Sequence, residues 1–513
     1  MTMKGFVSIV GAGPGDPGLI TIRAKERIQT AQVILYDALV DSFFMNWIQK
    51  DCQIIYVGKT AGHHAMTQEE IHIKLLEHAK TGKKIVRLKG GDPLLFGRGG
   101  EEAEFLADHH IPFEIIPGIA SPFGVSAYTG IPLTHRELAS SVTFVTGHED
   151  PEKESSSIAW DHLVGTGKTL VFLMVVQNLS KITQKLIQAG LNPNTPAAVI
   201  QEGTLPDQKI VMGSIKNIDQ QADQQHIQSP AVLIVGEVVR FHSKLNWFAN
   251  NPLFTKKILL TRIPEQSQDI RYLFYQYGAC PYEFPVIQLV EPDEPQKVQS
   301  IIKAHTTYDW IIFTSANGVK YFDKFLQQHN SSLKTFLSCK IAAIGSKTSQ
   351  AILERGSVVH CQPAQFVAEA LLNELASYGS FQNKKVLILR AEEAREILVD
   401  TLRQWGAVVD DIAVYKTVLD QTADENIISM LKKDTVDWVT FTSSSTVKNF
   451  VIKLEQLGIP WPKKIKIASI GPITSQTIRE LGRKVDVEAD PSTIEGLVQA
   501  IYQWEETKHS DIL

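Results

Sequence analysis

The second half of this 513-residue chain repeats itself at a domain-sized interval. KKILLTR at 256–262 returns as KKVLILR at 384–390, an offset of 128. DWIIFTSANGVKYF at 309–322 returns as DWVTFTSSSTVKNF at 437–450, again 128. IAAIGSKTSQAILERG at 341–356 matches IASIGPITSQTIRELG at 467–482, an offset of 126. Three blocks in one order and near one spacing demand two related α/β domains facing each other. The period is far too long for a solenoid, whose repeats run about 20–50 residues. The cleft between two such domains is a natural place for a ligand.

The same grammar runs through the first half. Phe6–Val10, Val33–Tyr36, Lys84–Leu88 and Thr143–Thr146 are short β-branched runs, each followed by a turn and often a helical stretch. This alternation predicts α/β domains with largely parallel sheets. The stretch FHSKLNWFANNPLFT at 241–255 breaks the pattern just before a fresh strand start at 256, so a domain boundary is expected there.

Composition closes off several classes. Hydrophobic residues at 43 % and charged residues at 21 % are ordinary globular values and exclude a disordered, collagen-like or coiled-coil chain. Lys+Arg 51 against Asp+Glu 56 leaves a net charge of −5, without the electrostatic footprint of a general nucleic-acid binder. Any anionic substrate must then be held by local basic groups. Cys52, Cys280, Cys339 and Cys361 lie far apart with no CxxC pair. That spacing argues against a zinc site or a disulfide framework and suits a reducing cytosol. No apolar run approaches the ~18–20 residues that span a bilayer, and Met1 to Gly15 reads as a first strand, not a signal peptide.

Two glycine-rich loops carry the chemistry of the first half. The first, GAGPGDPG at 11–18, contains Gly13-x-Gly15-x-x-Gly18, with Asp37 at the end of the next strand, and so fits the dinucleotide fingerprint. Pro14 and Pro17 argue against that use, because each removes a backbone N–H that a pyrophosphate cradle needs. The loop suits a neutral or cationic adenosyl ligand better. A plain strand–helix turn with Pro17 at the first helical position explains Pro17 and Gly18, but not Pro14 and the other glycines. The second loop, KGGDPLLFGRGGEE at 89–102, spends five glycines in fourteen residues, an entropic cost that a plain connection seldom bears.

In order, VGAGPGDPGLIT, LYDALV, VGK, RLKGGDPLLFGRGGEE, PGIAS, GIPLTHR and VTGH resemble the uroporphyrinogen-III C-methyltransferase family of tetrapyrrole methylases over about 3–245. The resemblance implies two α/β lobes, split here near 117–135, with S-adenosylmethionine between them and a homodimer formed through this half. By motif, the cofactor contacts would be Pro14, Gly90, Gly91, Asp92, Leu95, Ala120, Ser121, Met174 and Gly203. Asp37 matches the family's proton acceptor and Lys59 its proton donor. Arg23, Arg98, His135 and Arg136 are candidate partners for the tetrapyrrole carboxylates, with Arg136 carried forward as the substrate-binding residue. Three positions depart from the family pattern. Ala120 stands where Thr is usual, Val175 follows Met174 where Gly is usual, and His72 often reads Asn.

The second half resembles uroporphyrinogen-III synthase over about 256–500, on FPVI at 284–287, the two FTS blocks, the IG-x-x-T blocks and AVYKT at 413–417. In that fold the chain crosses between lobes twice, here near Phe284–Pro292 and Val414–Thr417. One lobe is then 256–286 plus 418–513, the other 290–413, with 246–255 as linker. The hydroxyls Thr314, Ser315, Ser443 and Ser444 precede helices, where free N–H groups make an anion site. One Ser per copy would suffice as an N-cap, and Thr348 and Thr474 read as caps. Tyr415 matches a family tyrosine that helps the substrate hydroxyl to leave, or it is a hinge tyrosine packed between the lobes.

Together the two resemblances imply a bifunctional cytoplasmic enzyme. It would cyclise hydroxymethylbilane to uroporphyrinogen III and methylate that twice to precorrin-2, towards sirohaem or cobalamin. It would need no metal, nucleic acid or membrane. An NAD-dependent enzyme and a clamp-type binding protein are the competing readings.

Overall fold

The computed structural model describes residues 5–49, 51–58, 66–147, 158–165, 167–304, 308–336, 338–365, 367–394, 396–422 and 424–510. Short aliphatic runs build four five-stranded sheets. The first contains β1 (Phe6–Gly11), β2 (Val33–Tyr36), β3 (Gln53–Tyr56), β4 (Lys84–Lys89) and β5 (Phe113–Ile116), in the order β3-β2-β4-β1-β5. Every pair is parallel. A parallel sheet needs crossovers and is covered on both faces, so its central strands are apolar nearly throughout. Arg87 and Lys89 of β4 are buried exceptions.

The second sheet departs from the expectation of largely parallel pairing. Its strands are β6 (Ser141–Thr146), β7 (Lys168–Leu173), β8 (Pro196–Gln201), β9 (Lys209–Ser214) and β10 (Ala231–Val235), in the order β6-β7-β10-β8-β9. Only β6 and β7 are parallel; β7–β10, β10–β8 and β8–β9 are antiparallel. The turn at 202–208 is too short for a crossover, which takes a dozen or more residues, so β9 must run back along β8.

The third sheet opens with β11 (Lys257–Leu260) and β12 (Cys280–Glu283). The chain then leaves to build the fourth: β13 (Ile287–Val290), β14 (Trp310–Phe313), β15 (Lys340–Ala343), β16 (Lys385–Ala391) and β17 (Val408–Leu419). It returns with β18 (Trp438–Phe441), β19 (Lys466–Ser469) and β20 (Val487–Glu488). The orders are β12-β11-β18-β19-β20 and β13-β17-β16-β14-β15. The repeat blocks therefore occupy equivalent places, β11-β18-β19 in one lobe and β16-β14-β15 in the other. Each lobe combines the first block of one copy with the second and third blocks of the other. The two crossings pair with each other: β13 runs antiparallel to the end of β17, with Ile287 opposite Leu419 and Val290 opposite Lys416.

The segment 246–255 is packed, not slack. Phe248 is buried against Tyr128 of the first half, at 4.7 Å between ring centroids, and against Phe254 at 5.3 Å. The indole N–H of Trp247 donates to the Ala127 carbonyl at 2.8 Å. Leu253 joins Ile258, Leu260 and Trp438 in the core of the third sheet. Burying side chains of this size stabilises by about 1.5–3 kcal/mol each, which anchors the segment at both ends. Phe43 adds a second contact between the halves, 6.2 Å from the Tyr275 ring. No helix among the described residues is long and apolar enough to cross a membrane.

Candidate functional site

Ligands of open α/β sheets sit beyond the carboxyl ends of the strands. Here three loops leave those ends of β1, β4 and β5 and meet. Gly13 and Gly91 exchange backbone hydrogen bonds, at 3.2 Å from Gly13 N–H to Gly91 C=O and 2.7 Å in the other direction. Gly91 has φ +65°, a left-handed conformation that favours glycine. A Cβ on Gly118 would lie 2.2 Å from the Gly91 carbonyl oxygen, so only glycine lets the third loop come this close. Asp92 ties the loops together: one carboxylate oxygen accepts from Leu94 N–H at 2.8 Å and the other from Gly118 N–H at 3.1 Å.

These loops, the helix that follows the third of them and Phe144 of β6 border an open cavity of about 540 Å³, lined by Leu19, Asp92, Leu95, Gly118, Ile119, Ala120, Phe123, Gly124, Ala127, Tyr128 and Phe144. Of the expected cofactor contacts, Asp92, Leu95 and Ala120 line it. Ser121 opens the helix Ser121–Thr129. Ala120, its N-cap residue, makes no side-chain cap, so the missing threonine hydroxyl is visible as an uncapped helix start. Pro14 packs on that helix, since a Cβ on Gly124 would lie 2.5 Å from the Pro14 ring. Gly203 approaches Val125 of the same helix, and Gly90 packs on Leu39. Met174 has φ +57° and is half exposed. Val175 has φ −86°, which any residue adopts, so replacing the usual glycine there strains nothing.

The first loop has little left to offer a pyrophosphate. Ala12 N–H donates to Lys89 C=O, Gly13 N–H to Gly91 C=O, Asp16 N–H to the Thr204 hydroxyl and Gly18 N–H to the Asp16 carboxylate. Pro14 and Pro17 have no N–H, and Pro17 starts a short 3₁₀ turn, Pro17–Leu19. Of residues 12–18 only Gly15 keeps an N–H with no partner among the described residues, so the dinucleotide spacing is present without the set of donors a pyrophosphate cradle needs. Asp16 itself is buried and accepts from the Tyr128 hydroxyl. Burial pushes the Asp16 carboxyl up, and burial together with that carboxylate pushes the Tyr128 phenol up.

Asp37 stands at the carboxyl end of β2 with its side chain 25 % exposed. Its Oδ2 lies 3.4 Å from the Arg87 guanidinium. Arg87 Nε reaches Glu102 at 3.1 Å, and Lys89 Nζ reaches the same Glu102 oxygen at 2.8 Å. The Gln68 amide donates to that oxygen at 3.1 Å. Glu102 is fully buried, and its other oxygen has no partner among the described residues. Burial works to raise the Glu102 carboxyl, but Arg87 and Lys89 outweigh it and hold the group below the usual carboxylate range. Burial, followed by Arg87, pushes the Lys89 ammonium down. Asp37 is thus the solvent end of a buried charged chain. The sequence reading overlooked Arg87, Lys89 and Glu102. The available signal was two cations at i and i+2, one face of an otherwise apolar strand.

Other expected residues are placed as follows. Lys59 lies outside the described residues. His72 stacks on Phe105 at 4.7 Å and sits 3.2 Å from the Gln68 amide, beside the charged chain and away from the cavity. Arg98 pairs with Glu101 at 2.6 Å, His135 stacks on Phe241 at 4.6 Å, and Arg23 and Arg136 are exposed.

In the second half, the Ser315 hydroxyl caps the helix Ala316–Gln328 by accepting from Gly318 N–H at 3.0 Å. The same hydroxyl lies 3.0 Å from the Tyr415 hydroxyl. Tyr415 is buried and stacks on Tyr321 at 5.5 Å, so it is packed at the base of the β13–β17 ribbon and also presents a polar tip to the FTS turn. Thr314 N–H is held by the Leu389 carbonyl at 3.3 Å. In the other copy Ser443 caps the helix Ser444–Gln456 in a capping box with Thr446, while Ser444 donates to Ile473 C=O and accepts from Thr477. Thr348 and Thr474 do not cap. Gly345 and Gly471 hold the N-cap positions, and both threonines are buried in the first turns.

Two family models match the chain: Tetrapyrrole (Corrin/Porphyrin) Methylases over residues 7–219, and Uroporphyrinogen-III synthase HemD over residues 268–499. The chain is 36 % identical over 499 residues to the porphyrin biosynthesis protein HemD of Ruminiclostridium josui, covering 97 % of this chain and 98 % of that one. It is 38 % identical over 360 residues to the uroporphyrinogen-III C-methyltransferase of Bacillus subtilis, covering 70 % and 74 %. It is 48 % identical over 241 residues to the S-adenosyl-L-methionine-dependent uroporphyrinogen III methyltransferase of Methanosarcina barkeri, covering 47 % and 94 %.

Proposed function

This chain belongs to the enzymes that join a tetrapyrrole methylase to a uroporphyrinogen-III synthase, and on that premise we propose how its residues divide the work. It is bifunctional, a uroporphyrinogen-III synthase and an S-adenosylmethionine-dependent uroporphyrinogen-III C-methyltransferase on the sirohaem and cobalamin branch. Residues 1–245 carry the methylation and 256–513 the ring closure, with 246–255 joining them. Hydroxymethylbilane is cyclised to uroporphyrinogen III, which then receives two methyl groups to become precorrin-2.

S-adenosylmethionine supplies a methyl group on a sulfonium, and S-adenosylhomocysteine is left. The cavity at the three-loop corner fits such a group: largely apolar walls, glycine backbones at close approach and one carboxylate, Asp92. Pro14, Gly90, Gly91, Leu95, Ala120, Ser121, Met174 and Gly203 complete the cofactor contacts of this reading. The protein's main contribution is to hold an electron-rich pyrrole carbon in line with the methyl group. The methylated macrocycle must then lose a proton, and Asp37 takes it. Lys59 is the proton donor, and Arg136 meets a substrate carboxylate.

In the second half, Tyr415 assists departure of the bilane hydroxyl. Thr314, Ser315, Ser443 and Ser444 hold substrate carboxylates with the helix starts behind them. Cleft closure folds the bilane so that its ends meet. The protein works in the cytoplasm as a homodimer formed through the methylase half.

The observation that carries the methylase reading is the first loop, whose N–H groups at Ala12, Gly13, Asp16 and Gly18 are already consumed. Incubation of the purified chain with hydroxymethylbilane and methyl-labelled S-adenosylmethionine tests both halves at once. Labelled precorrin-2 is the expected product. Calorimetric binding of NAD without binding of S-adenosylmethionine would overturn the methylase reading.

A further inference from the structure

The internal repeat supplies its own control for one arginine. Arg262 and Arg390 are equivalent, each closing its copy of the first block, KKILLTR or KKVLILR. Their neighbourhoods are equivalent too. Leu260 of β11 is in register with Glu283 of β12, and Ile388 of β16 with Asp411 of β17, so Glu283 and Asp411 are also separated by 128. By symmetry both arginines should be paired with the carboxylate on the next strand.

Only one is. Arg390 is buried and forms a two-pronged pair with Asp411, at 2.6 and 2.5 Å. It also reaches Glu396 at 2.7 Å and the Ala394 carbonyl at 2.8 Å. Its charge is spent inside its own lobe. In the other lobe Glu283 lies 3.7 Å from a different cation, Arg271. Arg262 forms no ion pair among the described residues. Its guanidinium donates instead to the neutral Gln266 side chain at 3.2 Å. Arg262 is partly buried, and burial pulls its pKa down, with Asp269 opposing through space.

Its position is equally specific. Thr261, the preceding residue, is fully buried and donates its hydroxyl to Thr440 C=O at 2.7 Å, so the backbone beneath Arg262 is fixed. Gln266 reaches across to the other lobe, donating to Asn317 Oδ1 at 3.4 Å. Asn317 lies two residues past Ser315, whose hydroxyl meets Tyr415. Arg262 is therefore one side chain from the line where the lobes face each other, at the carboxyl end of a parallel strand.

We propose that Arg262 binds a carboxylate of the linear tetrapyrrole in the synthase cleft, with Gln266 holding its place until substrate arrives. The inference rests on the ring-closing activity assigned to this half. A guanidinium suits the task because it forms two parallel hydrogen bonds to a carboxylate and keeps its charge when partly desolvated. The repeat-equivalent Arg390 is a structural ion-pair residue and takes no substrate.

The test uses the full-length chain and hydroxymethylbilane. Arg262→Met should raise the KM for cyclisation at least tenfold with a smaller change in kcat, and Arg262→Lys should recover part of the loss. Methylation of supplied uroporphyrinogen III and the melting temperature should match the unaltered protein, which separates lost binding from lost folding. The KM of the unaltered protein should rise with salt more steeply than that of Arg262→Met. An unchanged KM, or a fall confined to kcat, overturns the assignment of Arg262 while leaving the synthase activity in place. Failure of the unaltered chain to cyclise the bilane would instead overturn the activity on which the inference rests.

Discussion

Arg87 stands 3.4 Å behind the carboxylate of Asp37, so the residue at the tip of β2 is steadied by a cation buried in β4. Asp37 is absent from the cavity lining, and it is partly open to solvent. A group so placed can accept a proton without holding the cofactor. Asp37→Ala should therefore slow methyl transfer by about 10²–10⁴-fold, the range for loss of a general base. Calorimetric affinity for S-adenosylmethionine should stay within twofold. Unchanged turnover would remove Asp37 from the mechanism.

The charge behind Asp37 rests on Glu102. Glu102→Gln leaves Arg87 and Lys89 buried without their shared anion, a change that typically costs about 3–5 kcal/mol. Urea unfolding should show the loss in the transition that involves the first lobe. The pH dependence has a definite sign. The Glu102 carboxyl is held below its ordinary range in the folded chain, so its stabilisation is present above that range and disappears as acid titrates the folded group. The unaltered protein should lose stability on acidification more steeply than Glu102→Gln. Equal slopes would show that Glu102 is not the group responsible.

What the sequence made legible was local in the chain. The glycine loops, Asp92 and the strand ends lie within runs of a dozen residues, where glycine and proline have direct backbone consequences. Arg87 meets Asp37 across 50 positions, and Ser315 meets Tyr415 across 100. Such pairs are decided by strand order, which no local pattern encodes. The antiparallel return of β9 along β8 followed from a turn length that the strand–helix alternation obscured. Arg262 and Arg390 look interchangeable in the sequence, and it is their partners that tell them apart: Glu283 turns to Arg271 and leaves Arg262 to Gln266, while Arg390 is held by Asp411 and Glu396.

Tyr415 offers a separate handle on the second activity. Tyr415→Phe keeps the ring stacked on Tyr321 and removes only the hydroxyl that meets Ser315. The loss of one partly buried hydrogen bond costs about 0.5–1.5 kcal/mol of stability. Cyclisation should fall well beyond what that implies, while methylation of supplied uroporphyrinogen III stays unchanged. Loss of both activities would indicate misfolding, and loss of neither would leave Tyr415 as a hinge residue alone.

The three-loop corner can be broken at a single atom. Gly118 has Gly11 on one side and the Gly91 carbonyl on the other, and a Cβ there would sit 2.2 Å from that oxygen. Real contacts of that length do not occur, so in Gly118→Ala the third loop must move away from the second. The move breaks the 3.1 Å hydrogen bond from Gly118 N–H to Asp92 and shifts Ile119 and Ala120, which line the cavity. Affinity for S-adenosylmethionine should drop at least tenfold by calorimetry. Cyclisation of hydroxymethylbilane should be unaffected, because its residues lie on the third and fourth sheets. If cofactor affinity survives the substitution, the ligand does not depend on this corner, and the cavity lined by Asp92, Leu95 and Ala120 is not where it binds.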